Sequence, residues 1–348
     1  MRTRHFLASL CFASLTLAAC VDTPEVETSV AMALKPDDPT CTGFHCTGNS
    51  PIMEFYDFHE LSPTSYNSAG LKLDGLWKGG VKYRPIVTGS TLSATRLGLP
   101  MLIGPSLVGS YLSVKTMPTA TSPAVEYQIH ITAYHQTQPY WTGPATMVDT
   151  YELLYNKAGG PSSLTTLCEN PPNRSAPDGS TWAAPAEAIL FAGDRYSDAK
   201  QITASTYAQS GDWFNIGCAG GALAKMHLNR FTTASQLGGL STTRAERQDV
   251  LSMYTGNVCG TGVSYTVPAT PLTWESRNGL RTLAPYTSVE AIWSGGRAIC
   301  MDTWRLEATH PTLVTQMRDE CEQAGLKLEP CGDLASWRAR GTVLSANP

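Results

Sequence analysis

The sequence predicts a β-rich α+β protein, with an antiparallel sheet or sandwich in the amino-terminal half and a mixed, disulfide-stapled carboxy-terminal half. Three observations carry this prediction. Apolar and polar residues alternate over short segments between residues 71 and 155, 23 Pro and 30 Gly interrupt the chain, and ten Cys are present. Only 16% of the residues are charged, which is typical of a turn-rich β protein.

The strands of the amino-terminal half are predicted from period-two alternation. Residues 125–134, VEYQIHITAY, place apolar side chains on one face and more polar ones on the other. Residues 151–155 form a second candidate strand. Residues 97–114 are uncharged, but Pro100, Pro105 and three glycines favour short strands and turns over a membrane-spanning helix.

The carboxy-terminal half combines helix signals with short strands. Thr243 and Glu246 have the spacing of a capping box, which predicts a helix that ends at Gly256. Helices are also predicted over residues 222–231 and 312–323. Short apolar or alternating segments predict strands at residues 188–192, 213–218, 263–267, 289–293 and 298–301.

The first twenty residues have the pattern of a secretory signal, with two arginines, an apolar segment at residues 6–17 and small residues before Cys20. The sequence Leu-Ala-Ala-Cys at residues 17–20 resembles the lipobox of bacterial lipoprotein signal peptides. This resemblance implies that residues 1–19 are removed and that Cys20 is lipidated. We therefore expect an exported protein that is attached to a membrane of the cell envelope through its lipid.

The residues after the lipidation site bear on the anchor. Residues 20–40 lack clear periodicity and are predicted to be a tether. Val21, where an aspartate would favour the inner membrane, indicates the outer membrane. A net charge of -4 gives no electrostatic reason to bind nucleic acid or an anionic bilayer, and no cofactor is expected.

Eight cysteines lie beyond the lipidation site, and an even number in an exported chain predicts disulfide bonds. Their spacing favours two local pairs, Cys41 with Cys46 and Cys321 with Cys331. The other four would then join the central part of the chain across long loops. The candidates are Cys41, Cys46, Cys168, Cys218, Cys259, Cys300, Cys321 and Cys331.

No catalytic residues and no metal site are predicted. The segment CTGFHC at residues 41–46 lacks the second ligand pair of a zinc finger. His130 and His135, five residues apart on one expected strand, should lie on opposite faces and share no metal. The chain has no G-x-S-x-G motif, and the neighbours of Ser264 alternate as in a strand.

An aromatic segment provides the candidate binding patch. Residues 134–141, YHQTQPYW, place Tyr134, Tyr140 and Trp141 at an expected loop tip. Exposed rings beside amides are a common means of holding glycans or partner proteins. Such rings equally cover sheet edges, so the patch is a hypothesis of protein or glycan binding.

Residues 244–272, RAERQDVLSMYTGNVCGTGVSYTVPATPL, resemble the ADYC-domain family of exported bacterial proteins. Shorter segments on both sides, such as residues 189–196 and 290–300, are similar as well. The chain departs from the signature of the family, because Gly256-Asn257-Val258-Cys259 stands where the family has Ala-Asp-Tyr-Cys. The resemblance implies an exported scaffold that depends on this cysteine, and it implies no activity.

These observations give a domain organisation and a function class. The expected function is that of an envelope lipoprotein whose body is a binding or surface-structural module. The alternatives are an extracytoplasmic hydrolase acting on envelope polymers or proteins, and an inhibitor or accessory subunit of a secreted partner. The expected regions are the signal peptide at 1–19, the tether at 20–40, a β-rich region at 41–159, an ADYC-like domain at 160–331 and a tail at 332–348.

Overall fold

The computed structural model has an eleven-stranded and a four-stranded antiparallel sheet with helices between them, and two small two-stranded sheets, within residues 52–57 and 195–204. The structure describes residues 51–137, 147–168, 187–204, 213–233, 242–267 and 270–348. The strands are β1 Ile52–Met53, β2 Tyr56–Asp57, β3 Glu60–Leu61, β4 Leu71–Lys78, β5 Val81–Thr88, β6 Thr91–Thr95, β7 Leu102–Ile103, β8 Tyr111–Thr116, β9 Glu126–Thr137, β10 Val148–Lys157, β11 Thr165–Thr166, β12 Glu187–Phe191, β13 Arg195–Tyr196, β14 Ile202–Ala204, β15 Phe214–Cys218, β16 Thr273–Ser276, β17 Ser288–Ser294, β18 Arg297–Met301 and β19 Val343–Asn347. The helices are α1 Ala222–Leu228, α2 Arg244–Thr255, α3 Pro311–Gln323 and α4 Trp337–Arg340, and Gly104–Leu107 form a 3-10 turn.

The larger sheet has eleven strands in the order β3-β15-β12-β10-β9-β8-β4-β5-β6-β7, with β11 beside β10. Every pairing is antiparallel, as the sequence predicts. The sheet curls, so that β5 and β6 approach β10 and β12. Two hydrogen bonds join them: the N–H of Ala192 donates to the carbonyl of Gly89 (2.8 Å), and the N–H of Leu92 donates to the Tyr151 hydroxyl (3.1 Å). The curled sheet encloses the first core, which includes Leu71, Leu76, Leu92, Leu112, Ile129, Leu153 and Leu190.

A β-bulge interrupts the pairing of β9 with β10. Ala133 lies opposite Glu152 and Ile131 lies opposite Leu153, which leaves Thr132 as the extra residue of β9. A bulge of this kind places two residues of one strand against one of its partner, so the alternation of faces shifts by one position.

The shift changes where the two histidines of β9 lie. Before the bulge Ile131 faces the first core, and beyond it Tyr134 packs against the same core. His130 and His135 therefore lie on one face, the face opposite to this core, and the prediction that they occupy opposite faces is wrong. The Nε2 of His130 is hydrogen-bonded to Asn156 (2.8 Å).

Helix α2 begins and ends where the sequence predicts. The Thr243 hydroxyl accepts from the N–H of Glu246, and the Glu246 carboxylate accepts from the N–H of Thr243 (2.8 Å). Gly256 ends the helix in the left-handed conformation, with φ of 64°. A Cβ at this position would overlap the carbonyl oxygen of Tyr265, so both the backbone angle and the close approach require glycine.

The second sheet has the order β16-β19-β17-β18 and is also antiparallel. Between the two sheets, α1, α2 and α3 contribute to a second core that includes Leu223, Met226, Val250, Met253, Trp293, Val314 and Met317. The other face of the second sheet carries a third cluster, formed by Val289, Ile292, Cys300, Cys331, Trp337 and Leu344.

Three expectations for chain segments have clear outcomes. The strand predicted at 263–267 is wrong: this segment makes a single bridge at Ser264 and passes beneath the end of α2. Residues 97–114 form β7, the 3-10 turn and most of β8, as short strands and turns. No helix in the described ranges is long and apolar enough to span a membrane. Residues 332–348, expected as a tail, contain α4 and β19.

Candidate functional site

Six of the eight candidate cysteines form three disulfides, Cys168–Cys218, Cys259–Cys321 and Cys300–Cys331. The prediction of disulfide bonds is thus confirmed, but the predicted pair Cys321–Cys331 is wrong. Helix α3 carries Cys321 to the loop after α2. The chain beyond α3 then runs beside β18, where the Met301 N–H donates to the Glu329 carbonyl (3.0 Å), and this places Cys331 against Cys300. Cys20, Cys41 and Cys46 lie outside the described residues.

The four residues at the ADYC signature form a buried crossing point. The Asn257 side chain is fully buried, and its Oδ1 accepts from the N–H of Gly262 (3.0 Å). The carbonyl of Val258 accepts from the N–H of Ala298 in β18 (2.9 Å). Cys259 is disulfide-bonded to α3. The segment therefore connects α2, β18 and α3, and these contacts give it a structural role.

Tyr134, from the predicted aromatic patch, is anchored in a polar network under the sheet end. Its hydroxyl donates to Asp149 Oδ1 (2.7 Å), and Thr91 donates to Oδ2 of the same carboxylate (3.0 Å). Burial, together with the hydrogen bond to Asp149, raises the pKa of Tyr134 to about 12, so the hydroxyl stays protonated as a donor. Tyr140 and Trp141 lie outside the described residues.

An exposed apolar loop lies beside this tyrosine. Residues 97–103, here called the apolar loop, comprise the connection that follows β6 and the two residues of β7. Four of their side chains are exposed: Leu97 is entirely exposed, and Leu99, Met101 and Ile103 are 43%, 53% and 43% exposed. The sequence pattern did not single them out, because an uncharged run with prolines also fits buried strands.

The root of the apolar loop is fixed in place. A Cβ at Gly104 would lie 3.5 Å from the Tyr134 ring, so the loop ends against the anchored tyrosine. Lys78 Nζ donates to the carbonyls of Ser106 (2.6 Å) and Val108 (3.0 Å), holding the 3-10 turn that follows. The exposed side chains therefore project from a structured base.

The chain around the loop is cationic. Residues 75–125 contain five Lys or Arg and no Asp or Glu, although the whole protein has a charge of -4. Arg96, next to Leu97, donates to the Lys82 carbonyl (3.1 Å). Asp74 forms exposed ion pairs with Lys82 and Lys115 and offsets part of this charge. Exposed apolar side chains within a cationic stretch of chain are typical of segments that bind anionic bilayers.

The arrangement closest to acid–base chemistry lies elsewhere on the large sheet. Glu152 of β10 and Glu187 of β12 are direct cross-strand partners, on the same face as His135. Burial raises the pKa of the Glu187 carboxyl and Glu152 raises it further, while His135 opposes the shift. Two adjacent carboxylates of this kind are the feature on which a hydrolase would depend.

A second group of buried ionisable side chains makes contacts that are structural. Arg247 makes a bidentate ion pair with Asp194, donating from Nε and from Nη2 (2.9 Å for Nη2), and both side chains are buried. Beside this pair His227 stacks on Phe191, with ring centroids 5.0 Å apart. Burial lowers the pKa of His227 to about 4. The cavity next to them has a volume of about 10 Å³, enough for one water.

Within the described ranges, no three His, Cys, Asp or Glu are grouped to hold a metal.

A comparison with family models matches the ADYC domain over residues 104–307, more than half of the 348 residues. The chain belongs to the ADYC domain family. No curated protein and no solved structure matches the chain significantly. The ADYC match covers the strands from β8 to β18, the helices α1 and α2, and the signature loop. The apolar loop ends one residue before the match begins.

Proposed function

We propose that the protein is a cell-envelope lipoprotein, anchored through Cys20, whose β-rich body binds the surface of an anionic phospholipid bilayer through the apolar loop. The single observation that carries this proposal is the series of four exposed apolar side chains within a cationic stretch of the chain. The three disulfides support an oxidising compartment outside the cytoplasm, where such a lipoprotein would lie.

The energetics suit a second membrane contact that assists the lipid. Full burial of one Leu, Ile or Met side chain contributes about 1.5–3 kcal/mol, and each Lys or Arg near an anionic surface adds about 1 kcal/mol. Four side chains that insert only partly into the bilayer, together with the neighbouring cations, therefore give a modest affinity by themselves. A lipid at Cys20 would raise the effective concentration of the loop at the bilayer and orient the body on it.

The chemistry of the loop favours lipid over glycan. Glycan binding relies on flat aromatic faces, whereas Leu97, Leu99, Met101 and Ile103 present aliphatic or thioether surface. The aromatic patch of Tyr134, Tyr140 and Trp141 stays a separate prediction of protein or glycan binding. Its one described member directs its hydroxyl to Asp149.

Vesicle flotation tests the bilayer contact. The mature protein carrying Cys20→Ser, which lacks any lipid, should float with vesicles containing phosphatidylglycerol and remain behind with vesicles of phosphatidylcholine alone. A Leu97→Asn/Met101→Asn variant should lose most of this flotation. Leu164→Asn is the matched control, because Leu164 is similarly exposed (41%) in another part of the molecule. Equal flotation of all variants, or none with anionic vesicles, would refute the bilayer as the target.

The anchor is tested separately by mass spectrometry of the protein purified from membranes. The amino-terminal peptide should begin at Cys20 and carry a diacylglyceryl group. An unmodified Cys20, or a retained signal sequence, would overturn the lipoprotein assignment without bearing on the vesicle result.

A further inference from the structure

Lys200 is a fully buried lysine in a tight turn between β13 and β14. Its Nζ donates to the carbonyl of Gly262 at 2.6 Å. The backbone is held in the left-handed region, with φ of 54°, and its carbonyl accepts from Gln248 Nε2 (2.8 Å). An amine in such a position is a protected nucleophile with little access to water.

The side-chain carboxamide of Asn257 also contacts Gly262. The residue is fully buried, and its Oδ1 accepts from the N–H of Gly262 at 3.0 Å. Its Nδ2 has no hydrogen-bond partner within the part of the chain that the structure describes. Buried amide nitrogens are nearly always hydrogen-bonded, so this orphaned group calls for an explanation.

Gly262 brings the two side chains together. Lys200 binds the carbonyl of this residue and Asn257 binds its N–H, and the two atoms of one residue lie within about 3.6 Å of each other. The turn and the loop are in direct contact, because a Cβ at Gly262 would lie 2.8 Å from Cα of Ala199. Both side chains are therefore hydrogen-bonded to the same residue, which places Nζ of Lys200 in the neighbourhood of the Asn257 carboxamide.

The surroundings supply the conditions for amide exchange. Burial lowers the pKa of Lys200 to about 8, which increases the neutral, nucleophilic fraction of the amine. The negative charges of Asp198, Asp57 and Glu320 raise the pKa of the amine and so oppose part of this shift. A carboxyl group can in general relay a proton between two nitrogens in an exchange of this kind.

We propose that Lys200 and Asn257 react to form an intramolecular isopeptide bond. The Nζ–Cγ bond forms and the Cγ–Nδ2 bond breaks. The proton lost by Nζ passes through a neighbouring carboxyl to Nδ2, which leaves as ammonia. The step needs no oxidant or reductant. The product links the β13–β14 turn to the loop after α2, close to the Cys259–Cys321 disulfide, with a bond that thiols cannot reduce.

Mass spectrometry of the intact mature protein decides the proposal, with the sequence mass taken to include the lipid on Cys20. After reduction of the disulfides, the mass should be lower than the sequence mass by one ammonia, and digestion should give a branched peptide that joins the segments around Lys200 and Asn257. Lys200→Arg should restore the full mass. Asn257→Asp should instead lose one water, because a carboxyl then takes the place of the carboxamide.

Ring closure of Asn257 onto its own backbone also releases ammonia, so Lys200→Arg is the essential control. An ammonia loss that persists in Lys200→Arg identifies that reaction and overturns the proposal. So does a full sequence mass in the natural protein, which requires no variant to fold.

Discussion

The described residues within 71–157 and those within 242–348 are stabilised by different means. The first region is a run of antiparallel strands, β4 to β10, without a cysteine, and its Asp74–Lys82 ion pair is exposed. The second region has shorter strands among helices, two disulfides of its own and a buried ion pair between Arg305 and Glu290. Cross-strand burial of alternating side chains suffices for the first region, whereas the second depends on a few specific long-range pairs.

The network around Glu290 illustrates the second region. This buried carboxylate accepts from Arg305 Nη2 (2.7 Å) and from the hydroxyl of Ser345 (2.7 Å). Ser345 in turn accepts from the indole N–H of Trp293 (2.8 Å). Every member needs the others, because a buried charge that loses its partner is strongly destabilising.

The largest expected effect comes from removing the Cys259–Cys321 disulfide by Cys259→Ala/Cys321→Ala. A loop closed over 62 residues contributes about 4 kcal/mol in the chain-entropy model. Hydrogen exchange should show lost protection in α2, α3 and β17 while β8 and β9 stay protected. Equal loss of protection in both regions would show that they unfold as one unit and would remove the contrast between them.

An effect of comparable size is expected when a buried ion pair is broken, and a much smaller one when an exposed ion pair is broken. Arg247→Leu leaves the buried Asp194 carboxylate without its guanidinium, and we expect a loss of about 3–5 kcal/mol in the free energy of unfolding. Lys82→Leu, which breaks the exposed pair with Asp74, should cost less than about 1 kcal/mol. Urea denaturation of both variants gives the comparison, and similar costs would contradict it.

A smaller effect is expected on the pH dependence of the free energy of unfolding, through a histidine beside the core between the two sheets. The pKa of His227 is lowered from 6.5 to about 4, so the unfolded chain binds its proton first as the pH falls. The stability present above pH 6.5 should therefore decline as the pH falls and level off below about pH 4, after a loss of about 3 kcal/mol. His227→Phe keeps the stacking on Phe191 and removes the titration. The difference between the two stability curves isolates this histidine, and a constant difference would refute the assignment.

Local signals in the sequence predicted much of the fold. Period-two alternation gave β9 and β10, and the capping box with Gly256 gave the bounds of α2. These features depend on residues close together in the chain, which is why they can be read from it. The antiparallel, disulfide-bonded character of the protein followed from them and from the cysteine count.

Long-range geometry accounts for what the sequence did not reveal. The pairing of Cys321 depends on where α3 packs, and the faces of His130 and His135 depend on one extra residue in β9. The candidate site shows the same limit. Tyr134 was singled out from its aromatic neighbours, but the exposure of the apolar loop beside it depends on how β7 ends the sheet.

The central position of β19 has a consequence for biosynthesis. This strand lies between β16 and β17, so the second sheet contains a gap until residues 343–347 have been made. Because the chain is made, and by our proposal exported, amino terminus first, β16 and β17 have no shared neighbour until the last segment of the chain arrives. Premature termination shortly before residue 343 should therefore release a chain with two unsatisfied strand edges, a form prone to aggregation and to capture by chaperones.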